Sequence, residues 1–407
     1  MAGSNTPSSC IRCGQTLVNG WCPACDEFMA GTFVRREFIV LLVLSAIVVV
    51  GFLATRAVAN ANSALRLRDA AAWFDMGTQA LAEGRSDSAV RALRRAVAID
   101  RDQKRYSLAL ASALVANQED DAARQVLLGI RQFTPEDPEV NLLLARLEAR
   151  HGDIDVAVSH YQNALYGSWV ADQQSERRQA RVEFIRYLLA NDQRGRALSE
   201  LLILSGNLPD DVASQTEAAQ LLLDAGDPSR ALDQFRRVLR LEPSNGPALA
   251  GAGRSTFALG EYTNARRYLI SAAANGGDAS FAGLKELREL TDLVLTRDPL
   301  AARLPIRERR ERLKSALQRA SERLETCIAD VADASSSTPA DLEALQTEAQ
   351  TLEAALGARR PDSSSDSIET GLNLVYRMEQ RAQSCSPETP ADRALLLIGQ
   401  RHDVDKQ

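Results

Sequence analysis

Between residues 70 and 279 the apolar side chains fall at helical spacing in short runs, and the runs come in pairs separated by polar turns. Setting Ala89, Ala123, Ala157, Ala197, Ala231 and Ala265 as one position gives separations of 34, 34, 40, 34 and 34 residues. Four residues after each alanine stands a bulky side chain: Leu93, Leu127, Tyr161, Leu201, Phe235 and Leu269. The next marker, three further on, reads Ala96, Ile130, Ala164, Leu204, Val238 and Ala272. In three units a proline closes the pattern, at Pro135, Pro209 and Pro243. A small side chain is needed where two helices cross, a large one to fill the next gap, and a proline where the helix must stop. One such pair cannot bury its own apolar face, so pairs stack. Six pairs are predicted, at 70–103, 104–137, 138–171, 178–211, 212–245 and 246–279, with 172–177 inserted. Gly84, Gly152, Gly226 and Gly260 lie five residues before the marker alanine, where an αα-hairpin wants a left-handed turn; Gln118 and Asp192 replace the glycine in the other two units.

Two other patterns flank these pairs. From Phe38 to Thr55 eighteen residues carry no charge, with Arg35, Arg36 and Glu37 before them and Arg56 after. At 1.5 Å per residue they span about 27 Å, near the thickness of a bilayer's hydrocarbon core. One transmembrane helix is predicted over 36–56, with 57–69 as a linker. A cleaved signal sequence and a buried soluble helix are the alternatives; a 37-residue cysteine-bearing leader suits a signal sequence poorly. Beyond a capping helix within 280–300, Leu313, Leu317, Ala320, Leu324, Cys327 and Val331 step by 4-3-4-3-4, a coiled-coil-like seam. A second helix starts at Thr338-Pro339 and carries Leu342, Leu345, Ala349, Leu352 and Leu356; a third carries Ile368, Leu372, Val375 and Ala382. Short connections imply an up-down-up three-helix bundle over 301–386, followed by a tail at 387–407. Cys327 and Cys385 would then meet at one end, where a disulfide is geometrically reasonable; two unpaired buried thiols are the alternative.

The 34-residue period and its small–large–small–Pro pattern resemble the tetratricopeptide repeat (TPR) family. The resemblance implies an all-α fold, a TPR superhelix or αα solenoid, here followed by the helical bundle. It also implies a partner-binding groove lined by the first helix of each pair, here Arg105, Leu108, Leu142, Arg146, Arg186, Leu189, Arg254 and Phe257. Arginines among apolar neighbours suit a peptide that bears carboxylates, whereas plain solvated arginines are the bland reading. The Lys/Asn set of carboxylate-clamping relatives is missing.

Cysteine placement adds a metal to the picture. Cys10, Cys13, Cys22 and Cys25 form two Cys-x2-Cys pairs eight residues apart, and residues 1–28 look like a short zinc ribbon. All four positions are filled, which points to a structural zinc with no place for substrate; a pair of disulfides or a redox dithiol are the alternatives. A Cys₄ site persists where thiols stay reduced, so the amino terminus is expected in the cytosol and the repeats in an exported, periplasmic region, a choice that the flanking arginines do not decide.

The 407-residue chain is 45% hydrophobic with net charge −6, which suits packed helices and gives no support for nucleic-acid binding. His151, His160 and His402 are the only histidines, and none has a nucleophile or base at a recognisable spacing, so no enzyme activity and no small-molecule substrate are expected. The expected function is a membrane-anchored scaffold or adaptor that binds other proteins, in cell-envelope assembly or secretion. The alternative is a transmembrane signal transducer or regulator whose ribbon senses metal or redox state.

Overall fold

A computed structural model of the chain describes residues 9–19, 21–276, 283–334, 340–358, 364–385 and 387–404, without side chains at 26–34, 330–334 and 403–404. Among these residues the fold is helical, with only two isolated antiparallel bridges, Ser9 to Thr16 and Val18 to Trp21. The expected end of the last repeat at 277–279, the helix start at Thr338 and Pro339, and the side chain of Val331 lie outside the described residues. The chain divides into two units, Met1–Ser168 and Trp169–Gln407.

The first unit holds α1 (Pro23–Ala82), α2 (Ser86–Ile99), α3 (Lys104–Ala116), α4 (Asp120–Arg131), α5 (Pro138–His151) and α6 (Ile154–Tyr166). α1 runs unbroken for 60 residues, so the stretch 57–69, read as a linker, is helix. Its alanines, leucines and arginines contain no glycine or proline to stop a helix entered from either side. Residues Arg35–Ala82 contain a window of mean hydropathy 2.9, long and apolar enough to cross a membrane. The end of α1 is the first helix of the first pair, with Ala70 and Ala80 in the core.

The second unit holds the other three pairs, α7 (Gln174–Ala190) with α8 (Arg194–Ser205), α9 (Val212–Asp224) with α10 (Pro228–Leu241), and α11 (Gly246–Ala258) with α12 (Tyr262–Gly276). The inserted segment forms a short 3-10 turn, Ala171–Gln173, that leads directly into α7. In both units the six marker alanines are fully buried, and the bulky residues four positions later are buried too. The reason is visible at the glycines of the first helices. A Cβ at Gly77 would lie 2.5 Å from Cγ of Leu93, and one at Gly253 would lie 2.7 Å from Cδ2 of Leu269, so the absent side chain is the hole that receives the next helix's leucine. Asp137, Asp211, Asp227 and Asn245 cap the helices that follow them by accepting backbone N–H hydrogen bonds.

After α13 (Leu284–Arg297) come α14 (Ile306–Ala334), α15 (Ala340–Leu356) and α16 (Ser365–Ala382), with the seam residues Leu313, Leu317, Ala320, Leu324 and Cys327 all buried. The region read as a tail carries a fourth helix, α17 (Pro390–Val404), which buries Ala394, Leu395 and Ile398 in the same core. Thr389 starts it: its backbone N–H and hydroxyl both donate to Asp392, a reciprocal cap that also receives Arg319 at 2.5 Å. Cys327 and Cys385 are joined as a disulfide, with their Cα atoms 5.2 Å apart.

Candidate functional site

Two arrangements in the fold gather chemistry. The first is at the start of the chain. Gly14, in the left-handed region at φ +78°, closes the first Cys-x2-Cys turn by donating from its backbone N–H to the carbonyl of Cys10 at 2.9 Å. A tight turn then brings Val18 and Trp21 into mutual backbone hydrogen bonds, with Asn19 at φ +53°. The second Cys-x2-Cys pair sits at the head of α1, Cys22 as N-cap and Cys25 in the first helical turn, with Pro23 between them at the first position. Proline there has no N–H to lose.

The four sulfurs lie within 4.8 Å of one another, Cys10 to Cys25 at 3.9 Å and Cys13 to Cys22 at 3.4 Å. A tetrahedron of sulfurs each about 2.3 Å from zinc has edges of about 3.8 Å, so the donor set fits that ion in number, element and size. The thiols respond to their own crowding. Backbone N–H groups of Arg12 and Cys13 hold Cys10 down to about 6, while hydrogen bonding with Cys13 and Cys22 pushes Cys25 up to about 12. Crowding thus lowers the thiol of Cys10 and raises those of Cys22 and Cys25. Only a cation at the centre lets all four ionise together.

The second arrangement is a cleft of about 560 Å³ between α7 and α9. Arg178, Val182 and Arg186 project from α7, Ser214 and Glu217 from α9, and Leu204, Leu208 and Pro209 form the apolar floor. Arg186 meets Glu217 across it at 2.5 Å. The cleft therefore offers guanidinium groups beside apolar surface. Arg178, Leu208 and Pro209 were outside the predicted set: α7 begins a turn earlier than the repeat boundary at 178, and Leu208 and Pro209 lie in the connection between α8 and α9.

The other predicted groove positions scatter. Arg105 is exposed and lies over the rings of Phe74 and Tyr106, at 5.1 and 5.0 Å. Leu108 is core, packed with Ala111, Leu127, Val140 and Leu144, and is corrected to a structural role. Leu142 and Leu189 are half-buried, Arg146 is exposed and Arg254 is half-buried. Phe257 is also corrected: it stacks edge-on against Tyr262 at 5.3 Å and packs against the core of the carboxy-terminal helices. The histidines make structural contacts. His160 is buried against Asn141 at 3.4 Å, and burial lowers its pKa, with the charges of Arg131 and Arg124 adding to the effect. His402 meets Asp298 at 3.2 Å, and His151 lies 3.6 Å from Asp120.

Residues 80–147 and 216–280 each match a tetratricopeptide repeat family. Among solved structures, the chain is similar to YrrB, a TPR protein with an unusual peptide-binding site (16% identity over 47% of this chain and 95% of that one, TM-score 0.38). It is similar to PilW, a widely conserved type IV pilus biogenesis factor (17% identity, 54% and 97% covered, TM-score 0.38). A third is the C-terminal part of a TPR repeat-containing protein from Cytophaga hutchinsonii (10% identity, 77% and 100% covered, TM-score 0.41). No curated protein matches the sequence.

Proposed function

Because the chain is a tetratricopeptide-repeat protein, we propose that it works as a membrane-anchored scaffold that holds a protein partner by an extended segment, in assembly or secretion at a cell envelope. The observation that carries this reading is the cleft between α7 and α9. Its arginines can pair with carboxylates, bidentately where geometry allows, and Leu204, Leu208 and Pro209 can take an apolar side chain next to them. The apolar segment of α1 serves as the anchor. Cys10, Cys13, Cys22 and Cys25 hold a structural zinc, which supplies the folding free energy that so small a module cannot draw from a core. With four thiolate ligands the ion keeps no open position, so it would bind no substrate.

Partner capture tests the reading. Full-length protein carrying Arg178→Glu and Arg186→Glu faces any carboxylate with like charge, so proteins crosslinked to the wild type should be lost, while Arg91→Glu, on an exposed face of α2, should keep them. Equal recovery with all three proteins rejects the cleft as the binding site.

A further inference from the structure

The cleft between α7 and α9 has two ends of opposite charge. Arg178 stands at one end, half-buried, and among the described residues no carboxylate lies within ion-pair distance of it. Glu176 feels its charge but does not line the cleft. Arg186 stands at the other end, two helical turns along α7, and there one guanidinium faces two carboxylates. Glu217 meets it from α9 at 2.5 Å, and Glu183, three residues before it on the same helix, lines the wall beside it. Among the lining residues the first end is therefore positive and the second negative. Val182 lies midway between the two guanidinium groups, beside the apolar floor that Leu204 helps to form.

The spacing selects the conformation of an occupant. Arg178, Val182 and Arg186 follow one another along α7 at steps of about 6 Å. An extended chain turns alternate side chains to one face at steps of about 6.6–6.8 Å, so three alternate residues reach the three positions in register while the residues between them point away. A helical segment could offer every fourth residue at the same step, but it is too wide. A volume of about 560 Å³ spread over the roughly 16 Å from Ser175 to Arg186 leaves a width of about 6 Å. A helix with its side chains needs about 10–12 Å, and an extended backbone about 4.8 Å.

We propose that the cleft selects an extended segment of the partner in which an acidic, an apolar and a basic residue alternate. The carboxylate pairs with Arg178, the apolar side chain covers Val182 and Leu204, and the cation sits between Glu183 and Glu217. The proposal rests on the reading of this cleft as the partner site and narrows it, because Arg186 is already held by Glu217. A second carboxylate in the segment would meet Glu183 and Glu217 and be repelled.

The test reads the fluorescence anisotropy of short labelled peptides mixed with the full-length protein in detergent. In the first peptide glutamate, leucine and lysine alternate with serine. In the second the same residues are reordered so that glutamate and lysine flank the leucine directly, in the third the charges are set at the wider, helical spacing, and in the fourth lysine replaces the glutamate of the first. The wild type should bind the first about tenfold more tightly than each of the others, and Arg178→Glu should invert the preference between the first and the fourth. That inversion is a gain of binding, which an unfolded variant cannot give. Equal binding of the first two peptides, tighter binding of the third, or no inversion overturns the motif. If the double charge reversal at Arg178 and Arg186 abolishes partner capture while the peptides show no preference for spacing, the motif fails alone. If capture survives that reversal, the cleft reading fails and the motif with it.

Discussion

Two residues show how far the repeat geometry dictates conformation against the preference of the side chain. The turn between paired helices is left-handed in all six pairs, at Gly84, Gly152, Gly226 and Gly260, but also at Gln118 (φ +63°) and Asp192 (φ +54°). A side chain in that region costs roughly 1–2 kcal/mol, partly offset because glycine would lose more freedom on folding. The balance favours glycine. Gln118→Gly and Asp192→Gly should each raise stability by about 0.5–1 kcal/mol, and Gly226→Ala should lower it by a similar amount. Denaturant unfolding of the full-length protein in detergent reads both signs. A neutral or opposite result would mean that the turn relaxes when the side chain changes. The helices that Gln118 and Asp192 join pack as the others do, with Ala123 and Ala197 fully buried, so the deviation in sequence is absorbed locally.

At the scale of elements, the sequence was most readable where packing repeats. Each marker alanine sits at a helix crossing, so its small size is set by geometry and the period survives amid otherwise variable residues. The thiol cluster was readable from its spacing: two Cys-x2-Cys pairs bring four sulfurs within 4.8 Å of one another. Three things were less legible. The helical content of 57–69 gives no periodic signal, because α1 there has no intrachain face to bury. The fourth bundle helix was announced only by Thr389-Pro390-Ala391-Asp392 before Leu395 to Ile398, a cap signature short enough to pass for a turn. The cleft needed the relation of α7 to α9, and the assignment of Leu108 and Phe257 failed because family position alone does not say which neighbours cover a residue. Inside the bundle, a buried pair adds a pH term. Glu379 on α16 and Arg323 on α14 are ion-paired and buried, with Arg319 and Asp392 nearby. Burial raises the Glu379 carboxyl to about 7, above its ordinary value of 4.5, so the folded state holds that proton more tightly than the unfolded one. The associated stability is present below pH 4.5 and is lost as pH rises through about 7, by at most about 3 kcal/mol. Melts at pH 5 and 7.5 should show the stability of the wild type relative to Glu379→Gln falling between the two, a comparison that cancels the opposite contribution of His160, whose lowered pKa adds stability as pH rises.

At the scale of the whole molecule, the chain carries two kinds of sulfur chemistry, a cluster of free thiols and a disulfide. Cys10, Cys13, Cys22 and Cys25 are free, with Cys13 exposed, and thiols so close together persist only where the surroundings are reducing or a metal holds them. Cys327 and Cys385, 58 residues apart, are bonded, and in the chain-entropy model such a loop closure stabilises the fold by about 4 kcal/mol only if the bond endures. An apolar helix lies between the two sets in sequence. If it crosses a membrane, each set can occupy the environment that suits it, with the cluster on the cytosolic side and the disulfide outside. Intact cells treated with a maleimide that does not cross membranes should therefore leave Cys10 to Cys25 unlabelled. Opening the membrane and chelating the metal should expose all four, and Cys327 and Cys385 should react only after a reductant is added. The purified protein should carry about one zinc ion per chain, lost together with the protection of the four thiols. Labelling of the amino-terminal cysteines in sealed cells would place them on the outer face, and the sulfur chemistry of the two ends would then need another explanation than separation by a bilayer.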